Sequence, residues 1–312
     1  MKIAVCFSGQ WRTGDYCYDN LKEFLGILYP MCDFFIHTWD VNKQKCYNLS
    51  NVFSKETKLS ETDINNINLK YNPKQLLIED YNFTYNQLVK YNEHLYKDVN
   101  IFDIVQPLWY SFYKSIELKK EYELKNGFKY DYVLKLRPDI KFHPNRRLSQ
   151  DIEMYSTKIK NGELFIENLI RDWTIDTHTT DDVYFLSKST TMDIVSEYYK
   201  KWLEWGVGDR TKPFYGFIRH LILNELTLIS FKRRDLGGES GYVVLRPECV
   251  ESELNTIDNY YRCKGCEDYY YGNTKNNPIT PDGFYINLLK DKYIIDDDIN
   301  YYIDELQEKI EK

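Results

Sequence analysis

Two kinds of stretch share the chain: short unbroken apolar runs, and longer segments in which apolar residues recur every three or four positions. The runs predict strands at residues 2–7 ("KIAVCF"), 33–39 ("DFFIHTW"), 75–80 ("QLLIED"), 130–136 ("YDYVLKL"), 162–168 ("GELFIEN") and 181–187 ("DDVYFLS"). The periodic segments predict helices. Cys17, Leu21, Phe24, Leu25 and Leu28 share one face of a helix that Pro30 stops. A second helix runs from Pro107 to Asn126 with Trp109, Phe112, Tyr113 and Ile116 on its apolar face and Gly127 as its cap. Two more are expected over 189–205 and 214–228, and late strands in "ISFKR" and "YVVLRP".

The polar segment 40–74 predicts loops around one short helix that begins near Ser60. Residues 250–293 read as irregular, and a last helix starts at the aspartates 296–298 with Ile299, Tyr302, Ile303, Leu306 and Ile310 on one stripe. The opening strand–loop–helix–strand order is the start of a doubly wound parallel sheet, so the expected class is α/β. Residues 1–250 are expected to form one domain, with 251–312 packed on it as an irregular segment and helix. In such sheets ligands sit beyond the carboxyl ends of the strands.

Composition narrows the function. A formal net charge of −7 argues against nucleic acid as the partner. No run of about 18 apolar residues is present, so no membrane span is expected. The seven cysteines are odd in number and mostly isolated, which fits a reducing compartment, and a cytoplasmic location is expected. Cys263 and Cys266 alone have ligand-like spacing, and no second pair lies nearby to complete a zinc site. The 29 tyrosines fit the coding bias of an AT-rich genome, which lowers the meaning of any single one. The chain has no GxGxxG, GxxxxGK[ST], HExxH or GxSxG.

Three places carry candidate chemistry. In "SGQWR", Ser8 and Gly9 allow close backbone approach, Gln10 and Arg12 offer donors, and Trp11 offers a face for a base; an ordinary turn with a surface arginine is the plain alternative. At the end of the 130–136 strand, Arg137 and Asp139 flank Pro138. Opposite charges there are either a ligand site or an ion pair on the rim. In "DWTIDTHTTDDVYFLS", Asp181 and Asp182 precede a strand and Trp173 and His178 lie just upstream. They suit an acceptor site, with a carboxylate for a hydroxyl proton and an aromatic face for a sugar, or else a solvated acidic turn. His220, inside an apolar helical pattern, reads as a core histidine, and "FKRRD" as a charged strand end.

"KIAVCFSGQWR", "DFFIHTWD", "YNPKQLLIEDY", "YDYVLKLRPDIKF" and "DDVYFLSKSTTM" occur in an order that resembles the GT-A-like glycosyltransferases of large DNA viruses, phages and bacterial surface-polysaccharide clusters. The resemblance covers roughly residues 1–195. It implies a GT-A-like, Rossmann-like, mostly parallel sheet flanked by helices, with a C-terminal helical extension. It also implies sugar transfer from a nucleoside diphosphate donor, a UDP-sugar above all, to a glycan acceptor, in the cytoplasm of a host if the source is viral. Ser8, Gly9, Gln10, Arg12, Arg137 and Asp139 would then bind the donor, Trp173 and His178 the acceptor, and Asp182 or Asp181 would serve catalysis. The family's Asp-any-Asp motif holds Mn²⁺ or Mg²⁺. Here the slot reads Arg-Pro-Asp, which leaves Asp139 as the one metal ligand and gives Arg137 to the diphosphate.

Overall fold

The computed structural model describes residues 1–48, 51–92, 99–142, 144–158, 163–166, 169–172, 177–180, 183–204, 217, 220–221, 223–230 and 242–244. The runs read as strands form the centre of the molecule. β1 (Ile3–Ser8), β2 (Cys32–Trp39), β5 (Gln75–Glu79), β6 (Tyr132–Leu136), β8 (Glu163–Ile166), β11 (Tyr184–Ser187) and β12 (Thr227–Ser230) make one seven-stranded sheet in the order β12-β8-β11-β6-β1-β2-β5. All neighbours pair parallel except β11, which runs antiparallel to β6 and β8. The sheet is therefore mostly parallel and flanked by helices, as the resemblance implied. From β1 the chain builds outward through β2 and β5 on one side, then crosses back to β6 on the other. The boundary between β1 and β6 is thus the topological switch point, where a crevice opens beyond the carboxyl ends of parallel strands.

Both faces of the sheet are covered, which is why the central strands read as continuous apolar runs. Ile3, Val5 and Phe7 of β1, with Phe34, Ile36, Leu134 and Leu136, pack against α1 (Gly14–Leu25), α2 (Glu61–Tyr71) and α5 (Leu148–Lys158) through Leu21, Phe24, Ile67, Tyr71, Leu148 and Ile152. The alternate positions Ala4, Cys6, Phe35, Val133 and Phe185 face Trp109, Phe112 and Ile116 of α4 (Val99–Asn126), Met192 and Val195 of α6 (Ser189–Ser196), and Tyr198 of α7 (Tyr198–Glu204). Among the described residues no helix is long and apolar enough to cross a membrane.

Helix α2 begins where the sequence placed it. Ser60 accepts from the Asp63 N–H at 3.1 Å and Asp63 Oδ2 accepts from the Ser60 N–H at 2.7 Å, a reciprocal cap. The segment before it departs from the expected loop. β3 (Val41–Asn48) and β4 (Asn51–Lys58) form an antiparallel hairpin, whose polar strands lack the apolar alternation that would have announced it. Helix α4 begins at Val99, so Pro107 lies inside it and does not start it. The helix expected over 189–205 is two, divided at Glu197. The one expected to reach 228 ends earlier. Glu225 takes the left-handed backbone (φ 54°), the Leu226 N–H returns to the Leu221 carbonyl at 2.9 Å, and β12 starts at Thr227. β13 (Tyr242–Val244) falls in the late strand expected at "YVVLRP"; its pairing with β7 (Ile140–Phe142) and the pair of β9 (Leu169–Asp172) with β10 (Thr177–Thr180) were not anticipated. The expectations for "FKRRD", for Cys263 and Cys266, and for 251–312 lie outside the described residues.

Candidate functional site

The loop after β1 is held by contacts that reach far along the chain. Ser8 ends the strand and is buried. Gly9 has φ 114°, a backbone only glycine adopts readily, and its N–H donates to Ser111 Oγ of α4 at 2.6 Å. Arg12 has φ 42°, uncommon for a side-chain-bearing residue, and its N–H donates to Asn42 Oδ1 at 2.8 Å. This twist turns its guanidinium toward the end of β6. Arg12 Nε donates to Gln10 Oε1 at 3.1 Å, and Nη1 donates to Asp139 Oδ2 at 2.9 Å.

Trp11, between them, does not offer a face to a base. It is 2% exposed and packs edge-on against Phe7 and Tyr71, with ring centroids at 6.3 and 5.1 Å. A Cβ on Gly14 would lie 2.6 Å from its ring, so the residue below must be glycine. The indole is a core side chain that anchors the loop from beneath, through Nε1–H to Asp15 Oδ1 at 3.2 Å.

At the end of β6, Arg137 donates to both oxygens of Asp139: Nε to Oδ1 at 2.9 Å and Nη2 to Oδ2 at 2.8 Å. The structure thus brings Gln10, Arg12, Arg137 and Asp139 together at the switch point, across 127 residues of sequence. Asp139 is 1% exposed, while the side chains of Arg12 and Arg137 are 15% and 19% exposed. The acid lies behind and the two cations in front.

This donor set does not fit a divalent cation. Both Asp139 oxygens already accept guanidinium N–H groups, and the partner carboxylate of a paired motif is replaced by Arg137. Unit charges about 4 Å apart interact by about 4 kcal/mol at an effective dielectric near 20, so a doubly charged ion on Asp139 would meet the two guanidiniums that already hold it. Among the described residues no group of three His, Cys, Asp or Glu side chains is placed to hold a metal. Asp139, the expected metal ligand, is seen here with its carboxylate accepting from Arg12 and Arg137.

Beside this cluster lies a buried relay that sequence reasoning missed. Ser111 Oγ, accepting from Gly9, contacts His37 Nδ1 at 2.7 Å, and His37 Nε2 meets Glu79 Oε2 at 2.8 Å. The Tyr110 hydroxyl donates to Glu79 Oε1 at 3.1 Å. His37 and Glu79 stand at the carboxyl ends of β2 and β5, on the same edge as Arg12 and Arg137. Burial lowers the affinity of His37 for a second proton and outweighs the pull of Glu79, so the ring is neutral. The serine hydroxyl then donates to Nδ1, and Nε2–H donates to the carboxylate. Burial works to raise the Glu79 carboxyl, but hydrogen bonds from His37 and Tyr110 and the charge of Lys114 hold it below the usual range. The signal in the sequence was a histidine at a strand's carboxyl end and a serine within the apolar face of a helix.

His220 is the core histidine the sequence suggested. It is buried, with Nε2–H donating to the Ile194 carbonyl at 2.7 Å, and burial lowers its pKa as well. A histidine kept neutral by folding is charged only in the unfolded chain as pH falls below about 6.5, so the unfolded state binds more protons there. Stability is expected to be full above about pH 6.5 and to fall below it, by about 1.4 kcal/mol per pH unit for each histidine until the folded-state pKa is reached. Denaturant midpoints between pH 7.5 and 5.5 test this. A flat profile would show that water reaches both rings.

The acceptor candidates are only partly in view. His178 lies in β10 opposite Arg171 of β9. Trp173, Asp181 and Asp182 lie outside the described residues. The strand that follows the two aspartates, β11, is the reversed one, and Tyr184 opposes Leu136. The start of β11 thus lies at the edge where Arg137 and Asp139 leave β6.

Comparisons with known proteins stop at the fold. No family model matches the chain, and no curated protein matches it in sequence. Among solved structures it is similar to mouse xyloside xylosyltransferase 1 in its apo form, with a TM-score of 0.38 and 9% identity over 72% of this chain and 83% of that one. It is also similar to the galactosyltransferase LgtC in complex with donor and acceptor sugar analogues, with a TM-score of 0.33 and 12% identity over 70% of each chain.

Proposed function

We propose that the protein is a glycosyltransferase that takes a sugar from a nucleoside diphosphate donor, a UDP-sugar first among them, and passes it to a glycan acceptor. The observation that carries this reading is the convergence of Arg12 and Arg137 on Asp139 at the switch point of a mostly parallel sheet. Two guanidiniums stand where a donor diphosphate would lie, and charge-assisted bonds from arginine suit phosphate oxygens. The same charge would stabilise the leaving diphosphate as the glycosidic bond breaks. The order of motifs along residues 1–195 supports the reading independently.

On this reading Ser8 and Gly9 let the donor approach the backbone, and Gln10 sets the Arg12 guanidinium. Trp173 and His178 belong to the acceptor side. Asp182, in preference to Asp181, takes the hydroxyl proton in an inverting transfer or orients the acceptor in a retaining one. The reversed direction of β11 supports that assignment, because it directs the start of this strand to the arginine cluster.

The test is a donor panel. A saturating donor at 100 times its Kd is expected to stabilise the fold by about 2.7 kcal/mol. With the donor so found, Asp182→Asn is expected to keep donor affinity and to lose at least about tenfold in transfer. No shift with any UDP-, GDP-, CMP- or dTDP-sugar would end the reading. A bound donor without transfer to any glycan would favour the second reading, a nucleotide-sugar-binding protein without turnover. Arginine in place of the first motif aspartate favours that alternative.

A further inference from the structure

The hydrogen bonds of the relay between Gly9 and Glu79 have a direction, and its two ends set it. At one end the Gly9 backbone N–H can only donate, so Ser111 Oγ accepts there at 2.6 Å. At the other end Glu79 is an ionised carboxylate and can only accept, from His37 Nε2 at 2.8 Å and from the Tyr110 hydroxyl at 3.1 Å. The imidazole between them is neutral and carries one ring proton. With that proton on Nε2, Nδ1 accepts the Ser111 hydroxyl proton at 2.7 Å, and every donor in the chain meets an acceptor. With it on Nδ1, the ring would turn a lone pair toward the carboxylate. Nδ1–H and the Gly9 N–H would then both point at Ser111 Oγ, and the serine proton would be left with the His37 carbonyl at 3.5 Å.

The relay ends on a residue that needs holding. Gly9 stands at φ 114°, and a Cβ there would meet nothing within 4 Å, so no neighbouring side chain wedges the backbone into this conformation. Glycine leaves such a conformation at little cost, and the bond to Ser111 is what restrains it. Gly9 lies at the switch point, between Ser8 at the end of β1 and Gln10, which sets the Arg12 guanidinium. Ser111 and His37 are both 0% exposed, while Glu79, on the edge strand β5, is 22% exposed. The relay therefore runs from the rim of the sheet, through β2 and α4, to the loop after β1.

We infer that Glu79 is a positioning residue for the loop at residues 8–12: by fixing the His37 proton on Nε2, it makes Ser111 the acceptor that holds the Gly9 amide two strands away. That this loop binds a nucleotide-sugar donor rests on the transferase reading above. The setting of the loop rests on hydrogen-bond geometry alone.

Two measurements on the full chain test it. In protein labelled with ¹⁵N-histidine, the His37 ring at pH 7.5 is expected to show a protonated Nε2 and a bare Nδ1. A protonated Nδ1 would overturn the relay, whether or not any variant folds. The second measurement is hydrogen exchange of the peptide that carries residues 8–12. Glu79→Ala is expected to speed it several-fold while the peptide that carries β6 keeps its wild-type rate. Glu79→Gln is expected to restore most of the protection, because an amide oxygen still accepts from Nε2–H and the amide nitrogen can donate to the Tyr110 oxygen. Glu79→Ala added to Ser111→Ala is expected to change nothing further in the loop, since both cut the same chain. Wild-type exchange in Glu79→Ala, losses that add in the double variant, or a Glu79→Gln loop as fast as that of Glu79→Ala would each overturn the inference. If a nucleotide sugar binds, Glu79→Ala is expected to weaken it several-fold. If none binds, the transferase reading fails and the exchange data still decide the relay. If one binds and Glu79→Ala leaves loop exchange at the wild-type rate, the relay fails and the transferase reading stands.

Discussion

Lys119→Met is expected to destabilise the fold by about 3–5 kcal/mol, because it strands acidic groups that are already out of water. Lys119 is 0% exposed in the middle of α4. Its ammonium donates to Glu123 Oε2 at 3.1 Å, to Ser189 Oγ at 2.6 Å and to Asp193 Oδ1. Glu123, 1% exposed, also accepts from Ser189 Oγ at 2.6 Å and from the Tyr130 N–H at 2.9 Å. One lysine therefore ties α4 to α6 and to the approach to β6. Its remaining cationic neighbour, Lys129, is 54% exposed and too well hydrated to replace it. The measurement is the denaturant midpoint at constant slope. Adding Glu123→Gln to Lys119→Met should recover part of the loss, since the buried charge goes with it. A loss below about 1 kcal/mol would mean that water enters this junction.

Ser111→Ala is expected to act on both stability and binding. The hydroxyl is the hub between Gly9 and His37, and its removal leaves a backbone N–H and a ring nitrogen without their partner. Each such buried group costs about 1–3 kcal/mol. Gly9 lies three residues before Arg12, so on the transferase reading the released loop should also weaken donor affinity several-fold. The pair of readouts matters. A shifted denaturation midpoint with unchanged affinity would make the relay a purely structural element, uncoupled from the arginines.

The sheet was readable in the sequence because β1, β2 and β6 are buried on both faces and spell unbroken apolar runs. Ser60 was readable because a capping serine followed by an acid three residues on is a local signal. The site was readable only in halves. That Arg12 and Arg137 are each charged and each follow a strand is local information, but their meeting on Asp139 depends on β1 lying beside β6. Trp11 misled for a physical reason. An aromatic next to an arginine in a glycine-bearing loop looks exposed until Phe7, Tyr71 and Gly14 close around it.

Helix α4 hid its polar face in the same way. Scoring its apolar residues finds Trp109, Phe112 and Ile116. It passes over Ser111, Ser115, Lys119 and Glu123, which recur every four residues and are all buried. A stripe of polar side chains at that spacing, running beside an apolar one, marks a helix that carries a hydrogen-bonded network into the core.

The position of β1 has a consequence for how the chain reaches this fold. It is synthesised before the other strands of its sheet, yet it ends in the middle, with β2 on one side and β6 on the other. β2 follows within about 30 residues, but the partner on the other side is complete only at Leu136. At a ribosomal rate of about 5–20 residues per second, that partner arrives roughly 6–26 s later. For that interval the β6 side of β1 is an open strand edge of unpaired N–H and C=O groups, and a long loop must close before it is covered. Slowing translation between residues 40 and 130 is therefore expected to raise the aggregated fraction without touching the stability of the finished protein.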